Sequence, residues 1–457
     1  MRRSRWLARL TRDWLLAFRT LLLSLRTLFR LRSQVGIWQL PFRGSAARTP
    51  GNLDAFWIEP GATCMAFLDD FAKVAAEAGV VDTINVVFPT FNAEEAARYG
   101  LRWNPLPLPL RTAGALYLRG TMSRRREVAE LLAGEKSSEI LRLCQTMRRF
   151  WKTRVAGDAE DIVWEGIFPR ILSERPTLAF VHHRIGRIIG GFSRAVKSRA
   201  NVRTIYIQHG VSPQVCCPIL HDEFWLMLPE ERAYLQELGV DRPIRMVNRN
   251  KQWILNCLAS GACKCNEAKK VLLLAQHPLG GTPLTAEYVY RNLDRLAAVA
   301  ERLGWECLVR PHPRIPQIDG FERLLSQHPC LRLLDSRCPL GEQLRKERPA
   351  IAATFFSTSM VDAIGAGALP ILLQAGLESI TERTSCDYDR YGVVFAEDEN
   401  MPDRLRAVMM NEEYRDEQYI RLRDNLRHLV TQAESVDDAY AALLKSVSAH
   451  CCDDAAP

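Results

Sequence analysis

A histidine between a glutamine and a glycine follows an apolar run in the middle of the chain. Gln208, His209 and Gly210 come directly after the run Thr204–Ile207. Histidine is suited to proton transfer near neutral pH, and glycine permits a close approach of the backbone to a ligand. We therefore regard His209 as a candidate catalytic base, with Gln208 and Gly210 as candidate ligand contacts.

A second histidine lies between two prolines. Arg310, Pro311, His312 and Pro313 follow the apolar run Cys307–Val309. The prolines restrict the backbone that carries His312, and the Arg310 guanidinium offers paired hydrogen bonds to an anion. This motif is a candidate anion site.

Hydroxyl side chains follow a third apolar run, Ala353–Phe356. Ser357, Thr358 and Ser359 precede a predicted helix at Met360–Gly367. Hydroxyls and free N–H groups at the start of a helix bind anions. A plain N-cap, which needs no ligand, is the alternative interpretation.

A glycine-containing turn follows a fourth apolar run, Lys270–Ala275. It contains Gln276, Gly280 and Gly281 within the sequence QHPLGG. Backbone amides in such a turn suit a phosphate or a nucleotide, so these residues are candidate donor contacts.

Strand-like and helix-like runs alternate along the chain, and they must position these four motifs. The predicted strands are Leu53–Glu59, Thr83–Phe88, Thr177–His182, Val202–Ile207, Phe224–Leu228, Lys270–Ala275, Trp305–Arg310, Leu331–Leu334, Ala350–Phe355, Leu369–Leu373 and Val393–Phe395. The alternation predicts an α/β chain with two Rossmann-like domains, whose parallel sheets face each other across a cleft. Ligands bind such sheets outside the carboxyl ends of the strands, where all four motifs fall.

Three segments are expected. Residues 1–40 form a basic helix, residues 41–262 a first domain and residues 263–457 a second. The stretch Pro229–Ala268 lacks a long strand, and we expect it to link the two halves.

The N-terminal segment is strongly basic, with eleven arginines and one acidic residue among the first 50 positions. Arginines recur every seven residues from Arg5 to Arg26, beside leucines and aromatic residues at helical spacing. This pattern predicts an amphipathic helix that attaches residues 1–32 to an anionic membrane surface, on the inner face of the cytoplasmic membrane. Packing against the protein itself and an organelle transit peptide are the alternatives.

Overall composition excludes several other classes of protein. Hydrophobic residues make up 47% and charged residues 25% of the 457 residues, so a full core is available. Outside the basic segment the charge is close to balanced, and we expect no nucleic acid partner. The 13 cysteines form no disulfide framework, which favours a reducing compartment. Cys257, Cys263 and Cys265 match no standard zinc spacing.

Four stretches resemble bacterial surface-polysaccharide glycosyltransferases of the GT-B fold. They are TIYIQHGVS, KKVLLLAQHPLGG, CLVRPHPR and FFSTSMVDAIGAGALPIL, and the resemblance covers residues 177–373. The group includes capsule and lipooligosaccharide sialyltransferases and the CDP-glycerol glycerophosphotransferases of teichoic acid synthesis. It implies transfer of a sugar, such as sialic acid, from a nucleotide-activated and cytidine-linked donor to a cell-surface polysaccharide or glycolipid. The first domain is then the acceptor domain and the second the donor domain.

The resemblance also implies roles for single residues. His312 and the hydroxyls of residues 357–359 would bind the donor phosphate, and His209 would be the base. Gln208 stands where the glycerophosphotransferases have Trp. The acidic-acidic-Gly motif of the sialyltransferases has no clean match, so Asp70 and Glu165 are further candidates for the base.

A metal ion and a cofactor are not expected, and the nucleotide-activated sugar is a co-substrate. No Asp-x-Asp motif follows a predicted strand, and the phosphate-binding residues could replace a metal. The competing interpretations are a polyol-phosphate transferase, a nucleotide-sugar epimerase and a non-catalytic nucleotide-binding scaffold. His182, His183 and His277 are possible substrate contacts, but we favour structural or solvent-exposed roles for them.

Overall fold

The computed structural model describes most of the chain. The described residues are 36–41, 52–58, 65–87, 97, 100–106, 109, 111–119, 162–182, 188–197, 199–208, 221–259, 264–275, 285–312, 321–336, 338–355, 357, 359–373, 387–395 and 400–453. They form two compact units. The first contains the described residues of Met1–Ile207, Cys217–Glu223 and Ala441–Pro457, and the second those of Gln208–Cys216 and Phe224–Tyr440. The domain limit at residue 262 stays a prediction.

The first unit is built on a mixed sheet with helices. Its strands are β1 (Gly36–Pro41), β2 (Leu53–Ile58), β3 (Val81–Val87), β4 (Arg102–Pro105), β5 (Thr177–Val181) and β6 (Val202–Ile207). Its helices are α1 (Met65–Ala78), α2 (residues 111–119), α3 (residues 162–171) and α4 (Ile189–Val196). The strand order is β6-β5-β2-β3-β1-β4. Strands β6, β5, β2 and β3 run parallel, whereas β1 is antiparallel to both β3 and β4.

Buried apolar runs explain the central strands of this sheet. Every residue of β2 and β5 is buried, as expected for parallel strands that are covered on both faces. Trp57 of β2 contacts Phe71 of α1 and Phe180 of β5, at ring-centroid distances of 4.9 and 4.1 Å. These aromatic contacts fix α1 against the sheet.

The second unit contains a parallel six-stranded sheet. Its strands are β9 (Lys270–Leu274), β10 (Glu306–Arg310), β11 (Leu331–Leu333), β12 (Ile351–Thr354), β13 (Leu369–Leu373) and β14 (Val393–Phe395), in the order β11-β10-β9-β12-β13-β14. The strands β7 (Glu223–Leu226), β8 (Ile244–Asn248) and β15 (Glu434–Ser435) lie outside this sheet, and β8 pairs in parallel with both β7 and β15.

The helices after β7 follow in chain order. They are α5 (Pro229–Glu237), α6 (Lys251–Ala259), α7 (Ala286–Arg302), α8 (Phe321–Gln327), α9 (Leu340–Glu347), α10 (Ser359–Gly365), α11 (Met401–Met410), α12 (Glu412–Gln432) and α13 (Val436–Asp453). Within the part of the chain that the structure describes, no helix is long and apolar enough to cross a membrane.

The six-stranded sheet is apolar on both faces. Val271 and Leu273 of β9 join the large core with α7 and α12, whereas Leu272 and Leu274 join a smaller cluster with Leu344 of α9. Because side chains alternate along a strand, one short apolar run supplies both clusters.

The predicted α/β class with two units built on parallel strands is confirmed, except that β1 pairs antiparallel with β3 and β4 in the first unit. The predicted cleft between the sheets stays a prediction. The predicted helix over residues 139–153 and residues 1–35 of the predicted N-terminal helix lie outside the described residues.

Two parts of the sequence-based prediction are wrong. The basic helix was expected to reach residue 40, but residues 36–41 form β1, whose run of Ile, Trp and Leu suits a strand that pairs on both sides. The stretch Pro229–Ala268, expected to be a linker, contains α5, β8 and α6. Strand β8 is only half-buried over its first three residues, so its sequence lacks the continuous apolar run of the other strands.

Candidate active site

The order of the six-stranded sheet defines where a ligand binds in the second unit. The first strand of the series, β9, lies at the centre; β10 and β11 follow on one side, and β12, β13 and β14 on the other. This is the doubly wound Rossmann order, in which ligands bind at the carboxyl ends of the strands where the order reverses. That point lies between β9 and β12.

Two predicted motifs follow the strands that flank β9. Arg310 is the last residue of β10 and is in register with Leu274, the last residue of β9. On the other side of β9, Thr354 ends β12, and its hydroxyl lies 3.5 Å from the carbonyl oxygen of Leu274. His312 and Ser357 therefore leave the same edge of the sheet from the two strands that flank β9.

The hydroxyl motif forms the start of helix α10. The Ser357 hydroxyl oxygen accepts a hydrogen bond from the Ser359 backbone N–H at 3.2 Å and another from the Ser359 hydroxyl at 2.7 Å. This is a local serine turn directly ahead of the helix, and the N-cap position itself, residue 358, lies outside the described residues. The hydrogen bond between the two hydroxyls holds them side by side after the end of β12. Both residues are half-buried.

Arg310 holds the loop after β11. Its guanidinium donates to the carbonyl oxygens of Ser336 at 3.1 Å and Cys338 at 2.8 Å, and to the side-chain oxygen of Gln343. Burial lowers the pKa of Arg310, while nearby acids such as Asp335 oppose that effect. In the structure, Arg310 thus anchors this loop. Its direct contact with a donor phosphate stays a prediction.

An acid that the sequence analysis did not select lies beside these motifs. Asp362 of α10 accepts a hydrogen bond of 2.7 Å from the side chain of Asn250. Burial raises the pKa of Asp362 to about 6, against the lowering effects of the Asn250 hydrogen bond and of the charges on Arg249 and Arg310. Carboxyl groups with such perturbed pKa values concentrate at functional sites. In the sequence, the position of Asp362 three residues after Ser359 was the feature that could have identified it as a candidate site residue.

The first unit has its own reversal point, between β2 and β5. His182 follows β5 directly and is only 1% exposed. Its ring packs against Phe67 of α1, with centroids 5.4 Å apart. His182 thus lies at the sheet edge where ligands bind in such folds, although its burial agrees with the structural role that we expected.

Asp70 and Glu165, the acidic candidates for the base, are both half-buried on helices. Asp70 lies in α1, three residues after Phe67 and therefore on the same face of the helix. Glu165 lies in the first turn of α3. A Cβ atom on the adjacent Gly166 would lie 2.5 Å from the side chain of Leu116 in α2, so this glycine allows a close packing of the two helices.

Gln208 supports the backbone of the segment after β7. Its side-chain oxygen accepts hydrogen bonds from the backbone N–H groups of Met227 at 2.7 Å and Leu228 at 3.1 Å. Because Gln208 is 3% exposed, its amide is part of the interior. The predicted site residues His209, Gly210, Gln276, Gly280, Gly281 and Thr358 lie outside the described residues, and their roles stay predictions.

No family model matches the sequence, and no curated protein does. The solved trehalose-6-phosphate synthase of Burkholderia multivorans is 10% identical at a TM-score of 0.45, over 87% of this chain and 99% of that chain. MurG of Acinetobacter baumannii is 9% identical at a TM-score of 0.47, over 86% and 99%. A structure of S. aureus MnaA with UDP is 10% identical at a TM-score of 0.48, over 81% and 91%. At such low similarity, the function of this chain has to be argued from its own residues.

Proposed function

We propose that this chain is a GT-B glycosyltransferase that transfers a sugar from a nucleotide-activated donor to a carbohydrate acceptor. One observation carries the proposal: the loops that contain His312 and Ser357 leave the strands on either side of β9, at the reversal point of a Rossmann-ordered sheet. A nucleotide binds at this point in such sheets.

The donor phosphate is the leaving group of the proposed reaction. As the bond between the anomeric carbon and the phosphate oxygen breaks, negative charge builds up on that phosphate. Donors that are already in position there lower the barrier. His312 and the Ser357 hydroxyl supply such donors, the Ser359 hydroxyl orients Ser357 by donating to it, and Arg310 positions the adjacent loop. Asp362 holds Asn250 against the same helix.

The acceptor hydroxyl forms the new bond to the anomeric carbon, and its proton passes to a base. His209, Glu165 and Asp70 are the candidates for this base. A carboxylate or an imidazole with a pKa near the working pH is suited to the transfer. Replacing each of the three in turn identifies the base by loss of kcat with little change in donor affinity.

The finer assignment rests on the four stretches that resemble surface-polysaccharide transferases. They favour a cytidine-linked donor, such as one carrying sialic acid, and a cell-surface polysaccharide or glycolipid as acceptor. We propose that turnover needs no metal ion, and complete loss of activity in EDTA would contradict this.

We also propose that residues 1–32 attach the enzyme to the anionic inner face of the cytoplasmic membrane. Their regularly spaced arginines and apolar residues support this attachment. It would bring the active site close to membrane-bound acceptors.

A thermal-shift screen tests the donor assignment. The full chain is heated with CMP, CDP, UDP or GDP, with and without magnesium, and compared with Ser357→Ala and with the exposed control Ser326→Ala of α8. A ligand at 100 times its dissociation constant should stabilise the protein by about 2.7 kcal/mol. We expect CMP or CDP to raise the melting temperature of the wild type and the control, and to do so much less for Ser357→Ala.

The other outcomes are equally informative. A preference for UDP or GDP would support the proposed transferase activity but reject the cytidine-linked donor. No shift with any nucleotide would reject the transferase. Product formed without an added acceptor would instead indicate an epimerase, and transfer of a polyol phosphate would indicate the glycerophosphotransferase reaction.

A further inference from the structure

The segment that joins β8 to α6 lies beside the helix that follows the hydroxyl motif. The Asn250 side chain donates a hydrogen bond of 2.7 Å to Asp362 in the first turn of α10. Three residues further along both segments, a Cβ atom on Gly365 would lie 3.3 Å from the ring of Trp253. The helices α6 and α10 therefore run side by side in the same direction, and both begin at the same end of the pair.

This common end lies close to the paired hydroxyls of residues 357 and 359. Ser359 and Asp362 are on the same side of α10, because residues three apart in a helix are neighbours. Both are half-buried. Asp362 is only about 4.5 Å further along the helix axis than Ser359. Because Asn250 contacts Asp362, the residue before it, Arg249, lies on the side of this contact that is nearer to the hydroxyls.

The backbone of Arg249 is held on both sides, although its own side chain is exposed. The Asn248 side-chain oxygen accepts a hydrogen bond of 2.8 Å from the Asn250 backbone N–H, which closes a turn around Arg249. Asn248 itself is 2% exposed. On the other side, Lys251 donates to the carbonyl oxygen of Ala433 at 2.6 Å. A cation on a backbone that is already fixed loses less conformational entropy when it binds an anion.

The charges of two arginines act on Asp362. Arg310 reaches it from β10, and Arg249 from the turn after β8. Arg310 is half-buried and donates to the carbonyl oxygens of Ser336 and Cys338 in the loop after β11. Arg249 is the exposed member of the two, so it is the one that a ligand from solvent reaches.

We propose that Arg249 binds the phosphate of the nucleotide donor, beside the Ser357 hydroxyl. The inference rests on the proposed donor site and adds a residue to it. A departing phosphate gains negative charge, and a guanidinium donates two parallel hydrogen bonds to such a group. Arg249 would supply positive charge to the leaving group in a reaction that uses no metal ion.

Neutralisation of Asp362 explains Arg249 less well. A carboxylate whose charge is balanced by an arginine has a pKa below its usual value. The pKa of Asp362 is instead raised to about 6, because burial outweighs the effects of Asn250, Arg249 and Arg310. Stabilising this carboxylate is therefore not the main role of Arg249.

Titration calorimetry of the full chain tests the proposal. The ligands are CMP, CDP, UDP and inorganic pyrophosphate, and the variants are Arg249→Ala and Arg249→Lys. The matched control is Arg406→Ala, at an exposed arginine of α11 in the same unit. We expect Arg249→Ala to weaken binding of the preferred nucleotide by at least about tenfold, as for a lost hydrogen bond to a charged group. Arg249→Lys should lose less, because it keeps the charge but not the paired donors.

The salt dependence gives a second measure of the same contact. Added salt screens an exposed charge, so it should weaken nucleotide binding more in the wild type than in Arg249→Ala. The control should match the wild type in both affinity and salt dependence. Because Arg249 is a surface residue, we expect its variants to remain folded.

Equal nucleotide affinity and equal salt dependence in the wild type and Arg249→Ala would overturn the inference and leave the transferase proposal intact. If the wild type binds no nucleotide, the transferase proposal fails and pyrophosphate decides on Arg249. Pyrophosphate binding that is lost in Arg249→Ala would then support an anion contact at this residue. Equal binding of pyrophosphate to both proteins, or to neither, would overturn the inference as well.

Discussion

At the scale of single residues, Asp362 is a half-buried carboxyl group whose pKa is raised by burial in spite of the nearby charges of Arg249 and Arg310. Its raised pKa means that the folded state disfavours the charged form. Below about pH 4 the group is protonated in both states. Stability is therefore lost as the pH rises from there to about 6, the folded-state value. The charged form of Asp362 thus lowers the stability of the folded protein at neutral pH. Because Asp362 lies on the helix that follows the hydroxyl motif of residues 357–359, this loss of stability favours a functional role for the carboxyl group.

Asp362→Asn should therefore stabilise the protein at pH 7. The Oδ1 atom of the new amide still accepts the hydrogen bond from the Asn250 side-chain nitrogen, and the substitution removes the charge that burial disfavours. We expect a gain of about 2 kcal/mol at pH 7, since one pKa unit corresponds to about 1.4 kcal/mol, and no gain near pH 4. Urea unfolding at both pH values measures it, with the exposed Asp403→Asn of α11 as control. A loss of stability at pH 7 would show that the charge itself is needed for folding.

His328 should give the second unit a further loss of stability as the pH rises, in a higher pH range than Asp362 does. Partial burial lowers the pKa of His328, but hydrogen bonds to Asp294 at 2.9 Å and Glu301 at 3.0 Å and their charges outweigh it, so the pKa lies above its usual value. The stabilisation is complete below about pH 6.5 and is lost as the pH rises through the raised value. His328→Gln should remove roughly 1 kcal/mol at low pH and little at high pH. The exposed His428→Gln of α12 is the control in urea unfolding. Equal losses at both pH values would exclude titration of His328 as the cause.

At the scale of elements, the packing of α2 on α3 depends on Gly166. An added Cβ would lie 2.5 Å from Leu116 Cδ2, the end of a flexible side chain. Leu116 Cγ and Cδ1 would also lie at 3.1 and 3.2 Å, so overpacking by Gly166→Ala should cost about 1–3 kcal/mol. The better helix propensity of Ala offsets about 1 kcal/mol of this cost. Adding Leu116→Ala should recover part of the loss, because the smaller side chain relieves the contact. A double-mutant cycle by urea unfolding measures this coupling. Additive effects would mean that the helices shift apart freely.

The parallel strands could be predicted because strands that are buried on both faces have nearly continuous apolar sequences. Strands β2, β5, β6, β9, β12 and β13 are short apolar runs bounded by turns or helices, and each was predicted within one or two residues. Strand β4 was missed, because Arg102–Pro105 is exposed throughout and has no apolar pattern. Its strand conformation comes from pairing with β1, a long-range contact that no local pattern reveals.

The candidate site was predictable to a smaller extent. Sequence motifs identified the loops after β10 and β12, because the polar residues directly follow apolar runs. They could not show that Arg310 anchors a loop through Gln343 or that Asp362 is desolvated. Both properties arise from side chains that are distant in the sequence. The pairing of β1 with β4 was hidden for the same reason.

At the scale of the whole molecule, the last described residues of the chain belong to the first unit rather than to the second. Leu443 and Leu444 of α13 are 1% and 2% exposed. Ser446 of the same helix accepts a hydrogen bond of 3.3 Å from Arg203 of β6. The part of α13 from Ala441 onward thus belongs to the first unit, and its contribution to that unit can be measured separately.

Leu443→Ala/Leu444→Ala should loosen the first unit selectively. Each buried Leu→Ala change costs about 2–5 kcal/mol through lost contacts and the cavity left behind. Hydrogen exchange followed by mass spectrometry should show faster exchange in β5 and β6 and unchanged protection in β9 and β12. The exposed Lys445→Ala between Leu444 and Ser446 is the matched control and should exchange like the wild type. Equal loss of protection in both sheets would mean that the two units unfold as one cooperative body, and that α13 stabilises the whole chain.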